Sequence, residues 1–196
     1  MIHVLILAAG TSSRMRGQNK LAQPVDGVPL LRKQVLTALG VDLPVTVALP
    51  PDLTGADLID DLDVDIFSAA CSLEGMSGTL RSAMAHLADT RAVLVVLADL
   101  PELETSDLQA LLEARNAFPK AQIWRGTTQD GAPGHPILFD RALYPEFARL
   151  KGDGGGHEVI AAAGDRVHFV ALPGTRANRD LDTPEDWAAW RKETGR

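Results

Sequence analysis

VLILAAG, residues 4–10, runs directly into TSSRMRGQNK, residues 11–20, near the start of this 196-residue chain. The first segment is a continuous apolar run, which is typical of a parallel strand buried on both faces of a sheet. The second is a loop of small and polar residues in which Arg14 and Lys20 supply positive charge. Loops at the carboxyl ends of parallel strands are where open α/β sheets bind anionic ligands. The two segments together predict an α/β fold with an anion site beside Gly10.

The rest of the chain alternates strand-like and helix-like segments. Strands are predicted over residues 2–7, 45–49, 64–67, 92–97, 121–124, 136–139 and 167–171. Helices are predicted over residues 29–39, 77–87, 106–117, 141–150 and 184–191. Gly40 should stop the first helix, Thr105 or Ser106 should cap the third, and Thr183 should cap the fifth. This alternation predicts a three-layer α/β/α sandwich around a Rossmann-like, mostly parallel sheet, and we expect one domain over residues 1–196.

Charge and cysteine content exclude several classes of protein. The chain has 19 Lys and Arg against 26 Asp and Glu, a net charge of −7. This balance argues against a nucleic-acid binder and against a surface for anionic lipid. Cys71 is the only cysteine, which excludes an intramolecular disulfide and a cysteine-based zinc site. The apolar start is too short to span a membrane and lacks a basic leading region, so we expect a cytoplasmic protein with no membrane partner.

The first loop matches neither of the two best-known phosphate-binding motifs. Leu21 follows Lys20 where a P-loop has Ser or Thr, and Gly10 is followed by TSS, which breaks a G-x-G-x-x-G pattern. What remains is a glycine turn with hydroxyl groups and two cations. Gly10 lets the backbone approach a phosphate closely, Arg14 can hold phosphate oxygens in a bidentate fork, and Lys20 adds a compact charge.

Carboxylates follow a second apolar strand and precede the last helix. Asp99 closely follows the apolar run 92–97, at the edge of the sheet where the first loop should also lie. Asp180 and Asp182 are two residues apart in an extended segment, so their side chains point the same way. Carboxylates so placed suit Mg²⁺, which takes one or two protein oxygens together with phosphate oxygens. Asp99 is therefore a candidate metal ligand, and either Asp180 or Asp182 could be the second.

Three glycine-containing segments are further candidates. EGMSGTLRS, residues 74–82, could let a flat base lie against backbone, or could simply be a capped helix start. In GAPGHP, residues 131–136, His135 could contact substrate or bond to backbone. GDGGG, residues 152–156, is predicted to be a surface loop that could cover a site.

The ordered motifs resemble those of the MobA-like NTP transferases, a branch of the GT-A-like nucleotidyltransferases. They are LAAGTSSRM with Lys20-Leu21, then GMS with Leu80, ADLP at 98–101, GHPILF at 134–139, GDGG at 152–155 and DLDTPED at 180–186. The resemblance covers nearly the whole chain and is greatest for the molybdenum cofactor cytidylyltransferase branch. It implies a GT-A-like fold and transfer of a nucleoside monophosphate from CTP or GTP to a phosphate of molybdopterin, with Mg²⁺ as cofactor and pyrophosphate as product.

The resemblance also assigns roles to residues. Arg14, Lys20 and Asp99 are expected to be catalytic, and Asp99 with Asp180 or Asp182 to hold the metal. Nucleotide binding is expected of Leu7, Ala8, Ala9, Gly10, Thr11, Ser12, Gly75, Ser77 and Ser82. Acceptor binding is expected of Gly134, His135 and Asp153. Arg16 receives no role in this prediction.

Two alternatives remain open on the sequence alone. The acceptor could be a sugar 1-phosphate, which requires the same chemistry. The chain could instead be a nucleotide- or cofactor-binding chaperone that serves a molybdoenzyme client without turnover. A complete set of Arg14, Lys20, Asp99 and Asp182 favours an enzyme, because binding alone would not need all four charges.

Overall fold

Continuous apolar segments form the central sheet in the computed structural model, which describes residues 1–10, 12–152 and 154–196. Seven strands form this sheet and two short strands form a separate hairpin. In chain order the strands are β1 (Ile2–Leu7), β2 (Pro24–Val25), β3 (Val28–Pro29), β4 (Val45–Leu49), β5 (Asp65–Ser68), β6 (Ala92–Leu97), β7 (Ile123–Thr127), β8 (Pro133–Asp140) and β9 (Val167–Ala171). The hairpin consists of β2 and β3.

Five of the six helices lie between these strands along the chain, and the last follows β9. They are α1 (Leu30–Leu39), α2 (Met76–His86), α3 (Thr105–Ala117), α4 (Tyr144–Phe147), α5 (His157–Ala163) and α6 (Pro184–Thr194). Thr183 caps α6, and Pro184 follows it. The Thr183 side chain accepts a hydrogen bond from the Asp186 amide, and the Asp186 side chain accepts one from the Thr183 amide. None of these helices, within the part of the chain described, has the length and apolar character needed to cross a bilayer.

One strand of the main sheet runs against all the others. The strand order is β5-β4-β1-β6-β8-β7-β9, and every neighbouring pair is parallel except the two pairs that include β8. Val93 pairs with Phe139 and Val95 with Ile137 in the antiparallel ladder of β6 and β8. Because β8 is reversed, its first residues reach the edge of the sheet at which the other strands end.

Alternate residues of the central strands enter two separate cores. Val4 and Ile6 are fully buried on the face covered by α1, α3 and α6, whereas Leu5 is fully buried on the face covered by α2, α4 and α5. This two-sided burial explains why the strands read as unbroken apolar runs. The predicted three-layer α/β/α sandwich with a mostly parallel sheet is confirmed.

Several element predictions were wrong in detail. The helix expected over residues 141–150 is a 3-10 turn, Arg141–Leu143, followed by the four-residue α4, because Pro145 can only occupy a first helical turn. Glu104, rather than Thr105 or Ser106, caps α3 through a capping box with Asp107. The strand expected over 121–124 is β7, which starts and ends later, and that expected over 136–139 is the longer β8. Helix α5 and the β2–β3 hairpin were not predicted.

Candidate active site

Two buried apolar side chains hold the first loop against the body of the protein. Met15, in the 3-10 turn Ser13–Met15, is 1% exposed, and Leu21, in the turn Lys20–Ala22, is 6% exposed. The Asn19 side chain accepts a hydrogen bond from the Leu21 amide at 2.9 Å and thereby caps the second turn. These anchors fix the backbone from which Arg14 and Lys20 extend.

The ammonium group of Lys20 lies between two carboxylates from distant parts of the chain. Its Nζ is 2.6 Å from Asp99 Oδ2 and 2.9 Å from Asp182 Oδ1. Arg14 Nη2 donates to the other oxygen of Asp182 at 2.5 Å. Asp99 lies two residues after the end of β6 and Asp182 two residues before α6, so three loops meet here. We call Arg14, Lys20, Asp99, Asp180 and Asp182 the charge cluster.

The charges of this cluster shift one another's pKa values. Burial acts to lower the pKa of Lys20, but the neighbouring Asp99 and Asp182 outweigh it, and the net shift is upward. Burial acts to raise the pKa of Asp182, but Lys20 and Arg14 lower it overall. Asp180 has a raised pKa because of burial and of its contact with Asp182. Lys20 is therefore firmly cationic, Asp182 firmly anionic, and Asp180 the carboxylate with the least charge compensation.

One carboxylate oxygen of the cluster has no partner. Asp99 lines the central cleft, and its Oδ1 is buried and accepts no hydrogen bond from the described residues. A buried anionic oxygen in this state is costly, and a cation would satisfy it. Within the described residues, no three carboxylate, imidazole or thiol groups converge into a self-sufficient metal site. Asp99 therefore fits a Mg²⁺ that takes most of its ligands from water and from substrate phosphates.

A cavity of about 280 Å³ opens on one side of the cluster. It lies over the end of β1 and against the start of α2, between the first loop and the segment 74–82. The residues that line it include Leu7, Ala8, Ala9, Gly10, Lys20, Gly75, Met76, Thr79 and Asp99. Ser12 lines an adjoining cavity that shares Ala8, Ala9, Gly10 and Gly75. Six of the nine residues predicted to bind nucleotide therefore line one or the other of these two adjoining cavities.

A central cleft of about 530 Å³ contains the whole charge cluster and extends to the other side of it. Gly134 and His135, at the start of β8, line its far wall together with Arg125 of β7 and Asn178. Gly134 must be glycine here, because a Cβ would lie 2.0 Å from the Ala177 carbonyl oxygen. Burial, reinforced by the nearby Arg125, lowers the pKa of His135 to about 4, so this imidazole is neutral at pH 7.

Some predicted site residues lie elsewhere or serve another purpose. The Ser82 hydroxyl donates to carbonyl groups of its own helix, those of Gly78 and Thr79, and Ser82 does not line the cavities described above. Ser77 is buried, and its oxygen accepts a hydrogen bond from the Gly155 amide at 3.0 Å, so it fastens the glycine-rich segment to α2. Thr11 and Asp153, predicted for nucleotide and acceptor binding, lie outside the described residues.

Sequence reasoning also missed residues that line the site. Met76 and Thr79 contribute to the cavity beside Gly75, and Arg125 contributes to the central cleft. The signal for Arg125 was a single charge inside the otherwise uncharged strand IWRGT. Arg16, which had no assigned role, lines none of the cavities described above and pairs with Glu185 at 2.6 Å, with both side chains largely exposed.

Comparison with known proteins gives relatives over most of the chain. Residues 4–167 match the MobA-like NTP transferase domain. The molybdenum cofactor guanylyltransferase of Xanthomonas euvesicatoria is 35% identical over 194 residues, which cover 94% of this chain and 91% of that protein. The purine catabolism protein PucB of Bacillus subtilis is 29% identical over 199 residues, covering 93% and 92%. The bifunctional protein GlmU of Xanthomonas euvesicatoria also matches, but this match spans only 26% of its length.

Solved structures share the fold. The Rv0371c protein of Mycobacterium tuberculosis superposes with a TM-score of 0.80 at 24% identity, covering 96% of this chain and 95% of that one. A structure of the same protein in complex with manganese gives a TM-score of 0.76 at 23% identity, covering 98% and 99%. At these identities the likeness establishes the three-layer architecture alone.

Proposed function

Since this chain belongs to the MobA-like NTP transferase family, we propose that it transfers a nucleoside monophosphate from CTP or GTP to the phosphate of a molybdopterin-type acceptor and releases pyrophosphate. The observation that carries the proposal is the position of the charge cluster between two spaces. One space is bounded by the glycine turn after β1 and by α2, and the other by Gly134 and His135. Two substrates that approach from opposite sides would meet at Asp99 and Lys20.

The backbone and the two cations suit a triphosphate on the first side. Gly10 has no atom within 4 Å of where a Cβ would lie, so a phosphate could approach the backbone there. Arg14 is 68% exposed and can turn from Asp182 to a phosphate group. Lys20 is held by its carboxylates at the boundary between the two spaces. Charge neutralisation and positioning are the main sources of catalysis in such transfers.

The carboxylates suit a divalent cation. When bound, Mg²⁺ would neutralise the triphosphate and stabilise the leaving pyrophosphate. Asp99 would hold it through its unpartnered Oδ1. Asp180 is favoured over Asp182 as the second ligand, because Asp182 already pairs with Arg14 and Lys20. The manganese complex of the Rv0371c protein is consistent with a divalent ion in this fold.

The reaction needs no strong general base. A phosphate monoester is already ionised at neutral pH, since its second pKa is about 6. His135 is neutral and can orient the acceptor by a hydrogen bond without taking its proton. The chain then contributes alignment of an acceptor oxygen with the α-phosphorus, opposite the leaving group.

A panel of substrates tests this proposal. The purified chain is incubated with Mg²⁺, one of the four NTPs and either molybdopterin or glucose 1-phosphate, and pyrophosphate release is measured. We expect release with molybdopterin and with CTP or GTP. The motif set favours CTP, whereas the relative from Xanthomonas is named a guanylyltransferase. Faster release with glucose 1-phosphate would favour the sugar reaction, and binding without release in every combination would favour a non-catalytic chaperone.

The metal assignment has its own variant. Asp99→Ala should lower pyrophosphate release by about 10²-fold or more, by analogy with the loss of one preorganised charged group. Asp89→Ala is a matched control, because Asp89 is exposed and does not line the central cleft. Near-normal release by Asp99→Ala would contradict the assignment of Asp99 to the metal.

A further inference from the structure

Arg125 is a partly buried cation that has no acidic partner among the described residues. Its Nε donates to the Gly134 carbonyl oxygen at 3.1 Å, which fixes the plane of the guanidinium group. Its terminal nitrogens, Nη1 and Nη2, form no hydrogen bond or ion pair with any residue that the structure describes. Burial lowers the pKa of Arg125, and no described carboxylate offsets this effect. A ligand anion would compensate this partly desolvated charge.

The backbone around Arg125 departs from a regular sheet. The ladder between β7 and β8 shifts register between Arg125 and Thr127. Gly126 lies at this shift, and a Cβ there would come within 3.0 Å of the His135 carbonyl oxygen. Bulges of this kind re-aim side chains and are common beside active sites. Here the irregularity brings the strand that carries Arg125 tightly against the residues that begin β8.

Arg125 and His135 stand at the junction of two spaces. Both line the central cleft, and both line a smaller cavity of about 130 Å³ between the sheet, α2 and α5. The smaller cavity is mostly apolar, with walls from Leu7, Leu80, Val95, Ile137, Phe139 and Ile160. A ligand anion held by Arg125 would therefore have its phosphate facing the charge cluster and its body against an apolar wall.

The charge cluster cannot serve this second anion as well. Arg14 and Lys20 are the cations on the nucleotide side, and both already face Asp182. A dianionic acceptor phosphate must approach the triphosphate from the opposite side, where repulsion between the two substrates has to be offset. Arg125 is the guanidinium group that lines that side of the cleft. A planar fork with two free nitrogens matches the geometry of a phosphate.

We infer that Arg125 binds the phosphate of the acceptor, and that this acceptor is a phosphate monoester of which an apolar part enters the smaller cavity. The inference rests on the proposed function and names the residue that selects the second substrate. One acceptor oxygen forms a bond to the α-phosphorus of the NTP, and the bond from that phosphorus to the bridging oxygen of the β-phosphate breaks. Pyrophosphate leaves with that electron pair, and no proton moves to the chain.

A binding experiment tests Arg125 without requiring turnover. The protein is first saturated with Mg²⁺ and a non-hydrolysable NTP analogue, so that Arg14 and Lys20 are occupied. Phenyl phosphate is then titrated into wild type, Arg125→Gln and the control Arg149→Gln by calorimetry. Arg149 is a suitable control because it is 75% exposed and pairs with Glu146 on the surface. Unchanged thermal unfolding of both variants confirms that they are folded.

We expect phenyl phosphate to bind Arg125→Gln about 10- to 100-fold more weakly than wild type, the range for loss of charge-assisted hydrogen bonds. Arg149→Gln should bind like wild type, and Arg125→Lys should recover part of the loss. Glucose 1-phosphate should bind wild type more weakly than phenyl phosphate. Equal binding by Arg125→Gln and wild type, or no binding of phenyl phosphate to wild type, would overturn the inference.

Kinetics separate this inference from the proposed function. With an acceptor that supports pyrophosphate release, Arg125→Gln should lower kcat/KM for the acceptor about 10- to 100-fold, while the KM for the nucleotide stays within about twofold. An equal loss for both substrates would contradict a role on the acceptor side. If no acceptor supports release, the proposed function fails, and the phenyl phosphate titration still decides the role of Arg125.

Discussion

Replacing Lys20 by alanine tests the charge cluster most directly, since its ammonium group is shared by two carboxylates. Nζ lies 2.6 Å from Asp99 and 2.9 Å from Asp182, and the Lys20 side chain is only 12% exposed. The substitution leaves these carboxylates facing each other, with Asp180 close to both. Breaking a fully buried pair costs about 3–5 kcal/mol, so for these slightly exposed groups we expect a loss of about 2 kcal/mol at pH 7.5. For a chain of this size, that corresponds to a fall in Tm of about 4–8 °C.

The pH dependence of this loss follows from the direction of the pKa shifts. Lys20 has a raised pKa in the folded state, so its contribution is present below its unfolded pKa of about 10.4 and is lost as pH rises through the higher folded value. Asp182 has a lowered pKa, so its contribution is present above about 3.9 and is lost as pH falls through the lower folded value. The difference between wild type and Lys20→Ala should therefore be constant from about pH 6 to 9 and shrink below about pH 5.

The gain in stability on binding Mg²⁺ should also differ between Lys20→Ala and wild type. Without the ammonium group, the carboxylates of Lys20→Ala are free to bind a cation even in the absence of nucleotide. At about 10 mM Mg²⁺ and a dissociation constant of about 1 mM, binding would add about 1.4 kcal/mol of stability. In wild type the gain in stability should be smaller, because the ammonium group of Lys20 already lies between Asp99 and Asp182.

Thermal unfolding followed by circular dichroism, with and without Mg²⁺, measures both effects. Lys120→Ala is the matched control, because Lys120 is exposed and lies outside the central cleft. Pyrophosphate release by Lys20→Ala should also fall about 10²-fold or more. An unfolding temperature equal to that of wild type at pH 7.5, or an equal response of both proteins to Mg²⁺, would refute the reasoning.

Three further predictions concern the surroundings of the site. Arg16→Ala should change the free energy of unfolding by about 0.5 kcal/mol or less, because its pair with Glu185 is largely exposed; a fall in Tm of several degrees would contradict this. Gly78→Ala should destabilise α2 by about 3 kcal/mol or more, since its Cβ would lie 2.1 Å from the Cys71 carbonyl oxygen; soluble expression at wild-type Tm would count against the packing described. Burial lowers the pKa of His135 to about 4, so the unfolded chain binds the proton more readily than the folded chain does. The free energy of unfolding, measured in urea, should therefore fall by about 2 kcal/mol between about pH 6.5 and pH 4, and His135→Asn should reduce this pH dependence.

The strands were predictable because burial on both faces leaves a direct record in the sequence. β1, β4, β6 and β9 have the bounds that their apolar runs indicated. Helix α5 left no such record, since it is a seven-residue, alanine-rich segment preceded by glycines. The failure over residues 141–150 has a local cause, because apolar spacing outweighed Pro145 in the prediction.

The candidate site was predictable as a set of residues but not as a set of contacts. Asp99 and the Asp180–Asp182 pair could be expected at one edge, because strands that run in the same direction end together. That Asp182 would pair with Lys20, 162 positions away, depends on how α6 docks through Trp187 and Trp190 on the core. Arg125 was overlooked for the same reason, since its significance arises from the lack of a described carboxylate near it.

On the proposed function, the reversal of β8 brings residues from the second half of the chain to the acceptor side of the cleft. The residues that surround the smaller nucleotide-side cavity all precede residue 100, whereas Arg125, Gly134 and His135, on the far side of the central cleft, come after it. A reversed strand presents its amino end, and hence the loop before it, to a reaction centre built from the carboxyl ends of its neighbours. Substitution or lengthening of that loop would reshape the acceptor wall and leave the glycine turn after β1 intact. On the proposed function, changes in this loop could therefore alter the choice of acceptor while the residues around the glycine turn stay the same.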